Sequence, residues 1–281
     1  MDLENIIPKA GPAISEVKKY IDKYNDEIIV IKCGGSVLLD SKLFNQFVED
    51  ICVLNKLCLN VIIVHGGGKN IKKKLDENKI ETKFINGLRV TDEKSIRIVE
   101  NSLNELNSEI VKKLNEKQCN AFSINSKNSI IKVNKISNEL GYVGNPKVVD
   151  HKIIKQLLNN EKIPVIVPMG NGDDNKIYNI NADTAAGSIA KSLTSRRLLL
   201  MTDVKGVLDK NKKLIPLLNS SFAKKMIEDG IIQGGMIPKI NTCLESLNNG
   251  VTGVAIVDGR KSHSILFELF SDKGAGTLIR K

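Results

Sequence analysis

The 281-residue sequence has no tryptophan, few other aromatic residues, five cysteines and three histidines. Aromatic residues make up 4% of the chain, which leaves few side chains to stack on nucleic-acid bases. The cysteines are scattered without a CxxC pair, and the histidines form no HxxxH or HExxH pair. Neither a disulfide framework nor a protein-held zinc site is therefore predicted, and we expect reduced thiols that pack as small apolar side chains.

Long apolar runs are also missing. No stretch approaches the ~20 residues that a membrane helix needs, and the N-terminal residues 1–4 lack the pattern of a signal peptide. We expect no membrane partner and a protein that works in the cytoplasm or, if organelle-encoded, in the plastid stroma. The net charge of +10 comes from lysines spread through the chain, which favours a solvated surface over nucleic-acid binding and suits acidic or phosphorylated ligands.

Two similar strand–glycine segments are present. Apolar residues 61–64 run into the motif HGGG at 65–68, and residues 28–31 run into KCGGS at 32–36. Each predicts a buried strand that ends in a turn with exposed N–H groups, as in phosphate sites. Because the GxxxxGK[ST] and GxGxxG patterns are absent, the sequence excludes a P-loop and a Rossmann site. A lone triple glycine is more often an ordinary tight turn than a ligand site.

Strand and helix patterns alternate along the chain, which predicts parallel βαβ units. Helices are predicted at 14–24, 41–58, 70–78, 93–116, 151–160, 182–193, 221–229, 236–249 and 263–270, and core strands at 28–31, 61–64, 164–168, 198–201, 252–257 and 277–280. Alternating stretches at 121–124, 129–133 and 141–143 predict antiparallel strands in a local flap or edge. The turn-forming residues 170–175 are the best candidate for a linker between two lobes.

Four charged residues occupy informative positions. Lys32 ends an otherwise apolar strand, and Lys239 lies in the first turn of a predicted helix, where the helix dipole disfavours a cation unless an anion binds. Asp183 lies in another first turn, and Arg89 lies in a turn beside a helix start. The ordinary alternatives are a lysine whose amine reaches solvent for Lys32, a helix-capping acid for Asp183 and a surface ion pair for Arg89.

Five segments, in this order and spacing, resemble the amino-acid kinase family, and within it the N-acetyl-L-glutamate kinases. They are KCGGS at 32–36, HGGG at 65–68, NGLRVT at 86–91, NINAD at 179–183 and GMIPK at 235–239, and the resemblance covers essentially the whole chain. It implies an α/β fold, a three-layer αβα sandwich around an open, mainly parallel sheet. Residues 1–25 would form an oligomerisation helix, 26–170 a lobe for acetylglutamate and dimerisation, and 171–281 a lobe for ATP that includes an arginine-site segment.

The resemblance also implies a reaction. The γ-phosphoryl group of ATP, which arrives with Mg²⁺ on its phosphate oxygens, would pass to the γ-carboxylate of N-acetyl-L-glutamate in arginine biosynthesis. The residues implied are Lys32, Lys239 and Asp183 for catalysis, the backbone of Gly34, Gly35, Gly67 and Gly68 for phosphate binding, and Gly67, Gly68, Arg89 and Asn179 for the substrate, with none assigned to a metal. Because the acceptor carboxylate has a pKa of ~4.3, it needs no general base, and His65 is expected to be structural.

The two termini resemble the arginine-inhibited branch of these kinases. In that branch an N-terminal helix links dimers into a hexamer, a trimer of dimers, and here that helix would be 14–24. The residues implied for the arginine site are Tyr20, His263, Glu268 and Gly276, with Glu268 as the bidentate partner of the guanidinium group. For photosynthetic relatives the resemblance adds the nitrogen-signalling PII protein as a partner.

Two alternatives to this function stay open. One is a sister kinase that acts on aspartate, glutamate or carbamate, and the other is a non-catalytic amino-acid-binding regulatory module on the same fold. The joint presence of Lys32, Asp183 and Lys239 argues against the second. The sequence departs from the family pattern at Cys33 and Lys69, and residues 125–138 match it poorly.

Overall fold

Strands and helices alternate along most of the chain. A computed structural model describes residues 2–281. Within this range the strands are β1 (Ile28–Cys33), β2 (Asn60–His65), β3 (Phe84–Ile85), β4 (Leu88–Arg89), β5 (Ala121–Ile124), β6 (Ile131–Lys135), β7 (Gly144–Val149), β8 (Ile163–Ile166), β9 (Met169–Gly172), β10 (Ile177–Asn179), β11 (Arg197–Thr202), β12 (Leu217–Asn219), β13 (Val254–Asp258) and β14 (Gly276–Arg280). The helices are α1 (Leu3–Ile6), α2 (Ile14–Tyr20), α3 (Ser41–Lys56), α4 (Gly68–Glu77), α5 (Glu93–Glu116), α6 (His151–Asn159), α7 (Ala182–Ser192), α8 (Ser220–Glu228), α9 (Met236–Asn248) and α10 (Ser264–Phe270).

Eight of the strands form the main sheet, in the order β12-β14-β13-β11-β1-β2-β8-β5. The central strand β1 pairs in parallel with β2 on one side and β11 on the other. Only β12 and β14 run against the remaining six, because β14 pairs antiparallel with β13 and parallel with β12. The predicted open, mainly parallel sheet is therefore confirmed.

Both faces of this sheet are covered by helices. Ile29 and Ile31 of β1 pack into one apolar cluster with residues of α3, α5 and α10, whereas Val30 points to the other face and joins a cluster with residues of α6, α7 and α9. Because side chains alternate along a strand, one short apolar run supplies both cores. The arrangement is the three-layer αβα sandwich that the resemblance to the family implies, and this expectation is confirmed.

The prediction for residues 121–124 is partly wrong. β5 lies at an edge, as expected, but it is the edge of the main sheet and pairs in parallel with β8. Its partner comes much later in the chain, so local alternation carries no information about the pairing direction. β6 and β7 do pair antiparallel, in a separate four-stranded sheet, but β7 begins at Gly144, just after the expected strand at 141–143.

The segment expected to be a linker, 170–175, lies in a β-hairpin. β9 and β10 pair antiparallel, and the turn between them contains the charged residues that suggested a linker. Turn-forming residues are common to hairpins and linkers, so composition does not separate the two. The hairpin crosses the predicted boundary between the lobes at 170, and the division into lobes stays a prediction.

The N-terminal segment packs against its own chain. Val17 of α2 is fully buried, and Tyr24, in a 3₁₀ segment that follows, packs edge-on against Phe270 of α10 with ring centroids 6.0 Å apart. The predicted helix at 14–24 is confirmed as this α-helical and 3₁₀ pair. No helix within residues 2–281 is both long and apolar enough to cross a membrane.

Candidate active site

The two glycine turns meet at one edge of the main sheet. Cys33 and His65 are register partners at the carboxyl ends of β1 and β2, and the N–H of Gly66 donates to the carbonyl of Cys33 at 2.7 Å. Because parallel neighbouring strands end side by side, their glycine turns present backbone N–H groups to the same space. This is the edge of an open α/β sheet at which ligands bind.

Three of the glycines in these turns differ in backbone conformation and in the space around them. Gly35 has a φ of +62°, a left-handed conformation that favours glycine. A Cβ on Gly67 would lie 2.7 Å from Cδ2 of Leu103, so a side chain there would clash with α5. A Cβ on Gly68 would meet no atom within 4 Å, so the start of α4 faces open space with its first N–H groups unpaired within the helix.

A cavity of about 260 Å³ lies at these turns. Lys32 lines it together with Arg89, Asn179 and Asp183. The predicted phosphate-binding glycines Gly34, Gly35, Gly67 and Gly68 line the same cavity. Eight predicted site residues, which come from four separate parts of the sequence, therefore share one cavity.

Asp183 joins the two unusual lysines. Its Oδ1 lies 3.0 Å from Nζ of Lys32, and its Oδ2 lies 2.5 Å from Nζ of Lys239. Burial alone would raise the pKa of Asp183, but the two ammonium groups outweigh it and lower the pKa to about 2. One ionised carboxylate thus stands between two cations, and this group of three carries a net positive charge.

The helices explain why these three side chains converge. Asp183 lies in the first turn of α7, where Asn181 caps the helix by accepting from the N–H of Asp183 at 2.9 Å. Lys239 lies in the first turn of α9, which packs against α7. The first turns of both helices, where the positive ends of the helix dipoles lie, therefore bring their side chains to Lys32 at the end of β1.

Arg89 is buried without a carboxylate partner among the described residues. Its guanidinium donates to the carbonyl of Gly68 at 2.9 Å and to the hydroxyl of Thr82 at 3.2 Å, and it lies 4.8 Å from the centroid of the Phe84 ring. Burial lowers the pKa of Arg89, because a desolvated charge is costly. A guanidinium that faces a cavity in this state is suited to bind an anionic group.

Asn179 lies at the end of β10 and its amide faces the cavity. The side chain donates to the hydroxyl of Thr91 at 3.4 Å, and the backbone N–H donates to the carbonyl of Tyr142 at 2.9 Å. The hairpin that was expected to be a linker thus positions a predicted substrate residue.

His65 has a structural environment. It is fully buried, its Nδ1 lies 3.2 Å from the carbonyl of Gly66, and its Nε2 lies 3.2 Å from the amide nitrogen of Asn107. Burial lowers the pKa of His65 to about 4, so the imidazole is neutral at pH 7. Because Asn107 also donates to the carbonyl of Val165, this network ties α5 to the ends of β2 and β8.

Sequence reasoning missed several residues that line the cavity. Phe84 is 57% exposed and stacks on Arg89 in the β3–β4 hairpin, Asn181 caps α7, and Leu103 contacts the glycine turn from α5. Phe84 could have been noticed as an aromatic residue next to a glycine hairpin. Leu103 carries no such signal, because it follows the ordinary apolar pattern of a helix.

The four residues predicted for an arginine site do not all lie together. Tyr20 and Glu268 line a cavity of about 470 Å³ between the N-terminal segment and α10, and Gly274 and Arg197 line it too. Glu268 is buried and accepts from the N–H of Ala275 at 2.9 Å, and burial raises its pKa.

His263 and Gly276 are not among the residues that line this cavity. His263 is the residue before the first turn of α10 but makes no side-chain capping hydrogen bond. Its Nδ1 instead lies 2.7 Å from Oδ1 of Asp50, a buried pair between α10 and α3. Gly276 lies in β14 with the carbonyl of Ile256 so close that no Cβ would fit.

Comparisons with known proteins agree with this architecture. Two bacterial proteins named acetylglutamate kinase are similar over nearly their full length. That of Pelagibacter ubique is 57% identical over 100% of this chain and 98% of its own, and that of Bradyrhizobium diazoefficiens is 42% identical over 95% and 96%.

Solved structures show the same fold. N-acetylglutamate synthase from Neisseria gonorrhoeae, in complex with coenzyme A and N-acetyl-glutamate, superposes with a TM-score of 0.87 at 24% identity. The match covers 95% of this chain and 62% of the synthase, so this chain spans about three fifths of that protein. Carbamate kinase from Giardia lamblia superposes with a TM-score of 0.69 at 17% identity, over 91% of this chain and 98% of its own.

A family model, that of the amino acid kinase family, matches residues 27–258. The match contains the whole lysine–aspartate group and both glycine turns. The chain therefore belongs to the amino acid kinase family.

Proposed function

We propose that this enzyme transfers the γ-phosphoryl group of ATP to the side-chain carboxylate of N-acetyl-L-glutamate and forms N-acetyl-L-glutamyl 5-phosphate. The observation that carries the proposal is one cavity lined by Lys32, Asp183 and the buried Arg89, which has no carboxylate partner among the described residues. Lys239 does not line this cavity itself but is joined to it through its ion pair with Asp183. The lysine–aspartate group suits a transferring phosphoryl group, and Arg89 suits an amino-acid carboxylate. The relatives named acetylglutamate kinase support the choice of acceptor.

The barrier to this reaction is electrostatic. An ionised carboxylate must approach a polyanionic donor, and it needs no base because its pKa is ~4.3. Lys32 and Lys239 would stabilise the negative charge on the transferring group, while Asp183 holds both ammonium groups in fixed positions. The N–H groups of the two glycine turns would add donors that need no reorganisation during the reaction.

The acceptor substrate would be positioned by contacts with groups other than its reacting carboxylate. The guanidinium of Arg89 would bind the α-carboxylate of the acceptor through two parallel hydrogen bonds, and the amide of Asn179 would bind the acetamido group. Phe84 would hold the plane of the guanidinium by stacking. These contacts leave the side-chain carboxylate free to point toward the lysines.

Magnesium would enter with ATP. Within residues 2–281 no three His, Cys, Asp or Glu side chains are grouped to hold a metal ion, so phosphate oxygens would be its main ligands. Mg²⁺ would neutralise part of the donor's charge, in addition to the lysines. ATP itself would bind to the lobe formed by residues 171–281.

We further propose that arginine inhibits the enzyme and that Glu268 binds its guanidinium group. The support is a buried carboxylate with a raised pKa that lines a cavity next to the N-terminal segment. A hexamer of 30.9-kDa chains, a trimer of dimers joined through that segment, would connect this site to other subunits. The bacterial relatives favour a cytoplasmic enzyme, and PII would be a partner only in a photosynthetic source.

One assay tests the reaction. ADP formation by the purified chain is followed with ATP, Mg²⁺ and either N-acetylglutamate, glutamate, aspartate or carbamate, with and without arginine. Of the four acceptors, we expect only N-acetylglutamate to give turnover, and we expect the rate to fall when arginine is added. Turnover with another acceptor would identify a sister kinase, and no turnover with any acceptor would favour a regulatory module. Light scattering of the full chain checks the mass against six times 30.9 kDa.

A further inference from the structure

Two cysteines far apart in the sequence lie side by side. Sγ of Cys52, on α3, is 2.7 Å from Sγ of Cys119, in the turn that joins α5 to β5. Both residues are buried, with 8% and 2% of their surface exposed. A disulfide bond is about 2.0 Å long, so these sulfur atoms need only a small displacement to form one.

The surroundings shift the pKa values of the two thiols in opposite directions. The S–H of Cys119 donates to Cys52, and this donation, together with Lys56 and Lys117, lowers the pKa of Cys52. The contact with Cys52 and burial raise the pKa of Cys119. Lys56 lies one helical turn after Cys52 on α3, and Lys117 lies two residues before Cys119, so both cations belong to the elements that carry the thiols.

Small molecules have a route to Cys52. A cavity of about 550 Å³ is lined by Cys52, Lys56 and Lys117 and is bordered by Pro8 and its neighbours in the N-terminal segment. Cys119 does not line this cavity, so an incoming reagent meets Cys52 first. A thiol with a lowered pKa beside a cavity, backed by a second thiol, has the arrangement of a nucleophilic and a resolving cysteine.

We propose that Cys52 and Cys119 form a modification site, at which hydrogen peroxide converts the two thiols into an intramolecular disulfide. The thiolate sulfur of Cys52 attacks the peroxide, the O–O bond breaks, and one water molecule leaves as Cys52 becomes a sulfenic acid. The sulfur of Cys119 then attacks this sulfenic acid, the S–S bond forms, and a second water molecule leaves. The two thiols lose two hydrogen atoms in total, and the peroxide is reduced to two water molecules.

The other three cysteines serve as internal comparisons. Cys33 and Cys243 are fully buried, and burial raises the pKa of each thiol, that of Cys33 to about 12. Cys58 is exposed and has no partner among the described residues. Disulfides in reducing compartments are usually transient and redox-sensing, which is the kind of bond that the Cys52–Cys119 pair would form.

The bond would fasten α3 to the C-terminal end of α5. Leu103 of α5 lines the candidate active site, and Asn107 of α5 holds His65. The cross-link would also close a long loop, from residue 52 to residue 119, and would therefore restrict the unfolded chain. We expect oxidised protein to melt at a higher temperature than reduced protein.

Peptide mapping of the full chain tests the proposal. Reduced protein is freed of reductant, exposed to hydrogen peroxide, alkylated under denaturing conditions and digested with trypsin. Each of the five cysteines falls on a different tryptic peptide, with Cys52 in 43–56 and Cys119 in 118–127. We expect an intact mass lower by two hydrogen atoms and one cross-linked species of these two peptides, which dithiothreitol reverses.

Variants separate this reaction from adventitious oxidation. Cys52→Ser and Cys119→Ser should each abolish the cross-link and the rise in melting temperature, whereas the exposed control Cys58→Ser should keep both. Oxidation of Cys52 to sulfinic acid without a cross-link would overturn the proposal, and so would cross-links between molecules through Cys58 alone. If circular dichroism shows that a serine variant is unfolded, the peptide map of the unmodified chain decides the question by itself.

Discussion

Nζ of Lys239 lies 2.5 Å from Oδ2 of Asp183, although Lys239 occupies the first turn of a helix, where the dipole disfavours a cation. The carboxylate offsets this cost only in part, because it also neutralises Lys32. One carboxylate therefore faces two ammonium groups and the positive ends of two helices, so the group carries a net positive charge. A bound phosphoryl group would supply the negative charge that balances it.

Lys239→Ala should reduce kcat by about 10²–10³-fold and change KM little, because its ammonium group would act mainly on charge that develops in the transition state. Steady-state kinetics with N-acetylglutamate and ATP measures this. Lys72→Ala is the matched control, since Lys72 forms an exposed pair with Asp76 one helical turn away. Near-normal turnover of Lys239→Ala would refute the role of this lysine.

Asp183→Asn leaves two largely buried ammonium groups without a counter-charge. It should lower the free energy of unfolding at pH 7 by about 2 kcal/mol, because one unit of pKa depression corresponds to about 1.4 kcal/mol. The pKa of Asp183 in the folded protein, about 2, is below its ordinary value of 3.8. The stabilisation by the carboxylate is therefore present above pH ~4 and is lost as the pH falls toward 2.

Urea titrations at pH 7 and pH 3 test this prediction. The deficit of the variant should be smaller at pH 3, where the carboxyl of the unmodified chain is partly protonated in the unfolded state. Asp173→Asn, which breaks the exposed pair with Lys147, should change stability little at either pH. An equal deficit of Asp183→Asn at both pH values would show that the ion pairs are not its cause.

Much of this site could be predicted because its unusual features are local. A lysine at the end of an apolar strand and a lysine in the first turn of a helix are both costly, and each is visible in a short window around Lys32 or Lys239. The position of Asp183 between the two lysines is not visible in either window, because the three residues are far apart in the sequence. It is implied by the resemblance that the five motifs carry. The parallel βαβ units follow from strands and helices that alternate, whereas the three-layer sandwich is implied by the resemblance to the family.

The features that could not be predicted depend on partners far away in the sequence. β5 is parallel to the main sheet because it pairs with β8, and the hairpin of β9 and β10 belongs to the second sheet because β9 pairs with β6. Neither pairing follows from the residues of the strand itself. The contact of Cys52 with Cys119 depends on the packing of α3 against α5. Sequence spacing indicates only two unrelated apolar cysteines there.

Arg89→Lys should raise KM for N-acetylglutamate by about 10–100-fold and lower kcat less, because an ammonium group cannot form two parallel hydrogen bonds to a carboxylate. Phe84→Leu removes only the stacking ring, worth about 1 kcal/mol, and should raise KM by about fivefold. Initial rates over a range of acceptor concentrations measure both. If Arg89→Lys binds the acceptor normally, another group must hold the α-carboxylate.

The pH profile should show no catalytic base. Burial keeps the pKa of His65 at about 4, and the acceptor carboxylate ionises at ~4.3, so neither group titrates near neutrality. We expect kcat/KM, measured without arginine, to be constant between about pH 6 and pH 8. A bell-shaped profile with an inflection near pH 6.5 that disappears in His65→Gln would instead make this histidine the base.

Glu268→Gln tests the proposed arginine site. The carboxylate of Glu268 faces the cavity, where it could form a charge-assisted pair with a guanidinium group, and such hydrogen bonds contribute about 1.5–3 kcal/mol. Glutamine keeps the shape but loses the charge, so the arginine concentration for half-maximal inhibition should rise at least about tenfold. Glu245→Gln, in an exposed pair with Lys191, is the control and should leave the inhibition curve unchanged.

The pH dependence of inhibition gives a second, independent readout of the same site. Burial raises the pKa of Glu268, so this carboxyl begins to take up a proton at a higher pH than an exposed glutamate does. A protonated carboxyl cannot pair with a guanidinium, so inhibition should weaken as the pH falls from 7 toward 5. Because a glutamine side chain does not titrate, Glu268→Gln should lose this dependence as well as its affinity for arginine. An inhibition curve that moves with pH equally in both proteins would place the guanidinium of arginine on another residue.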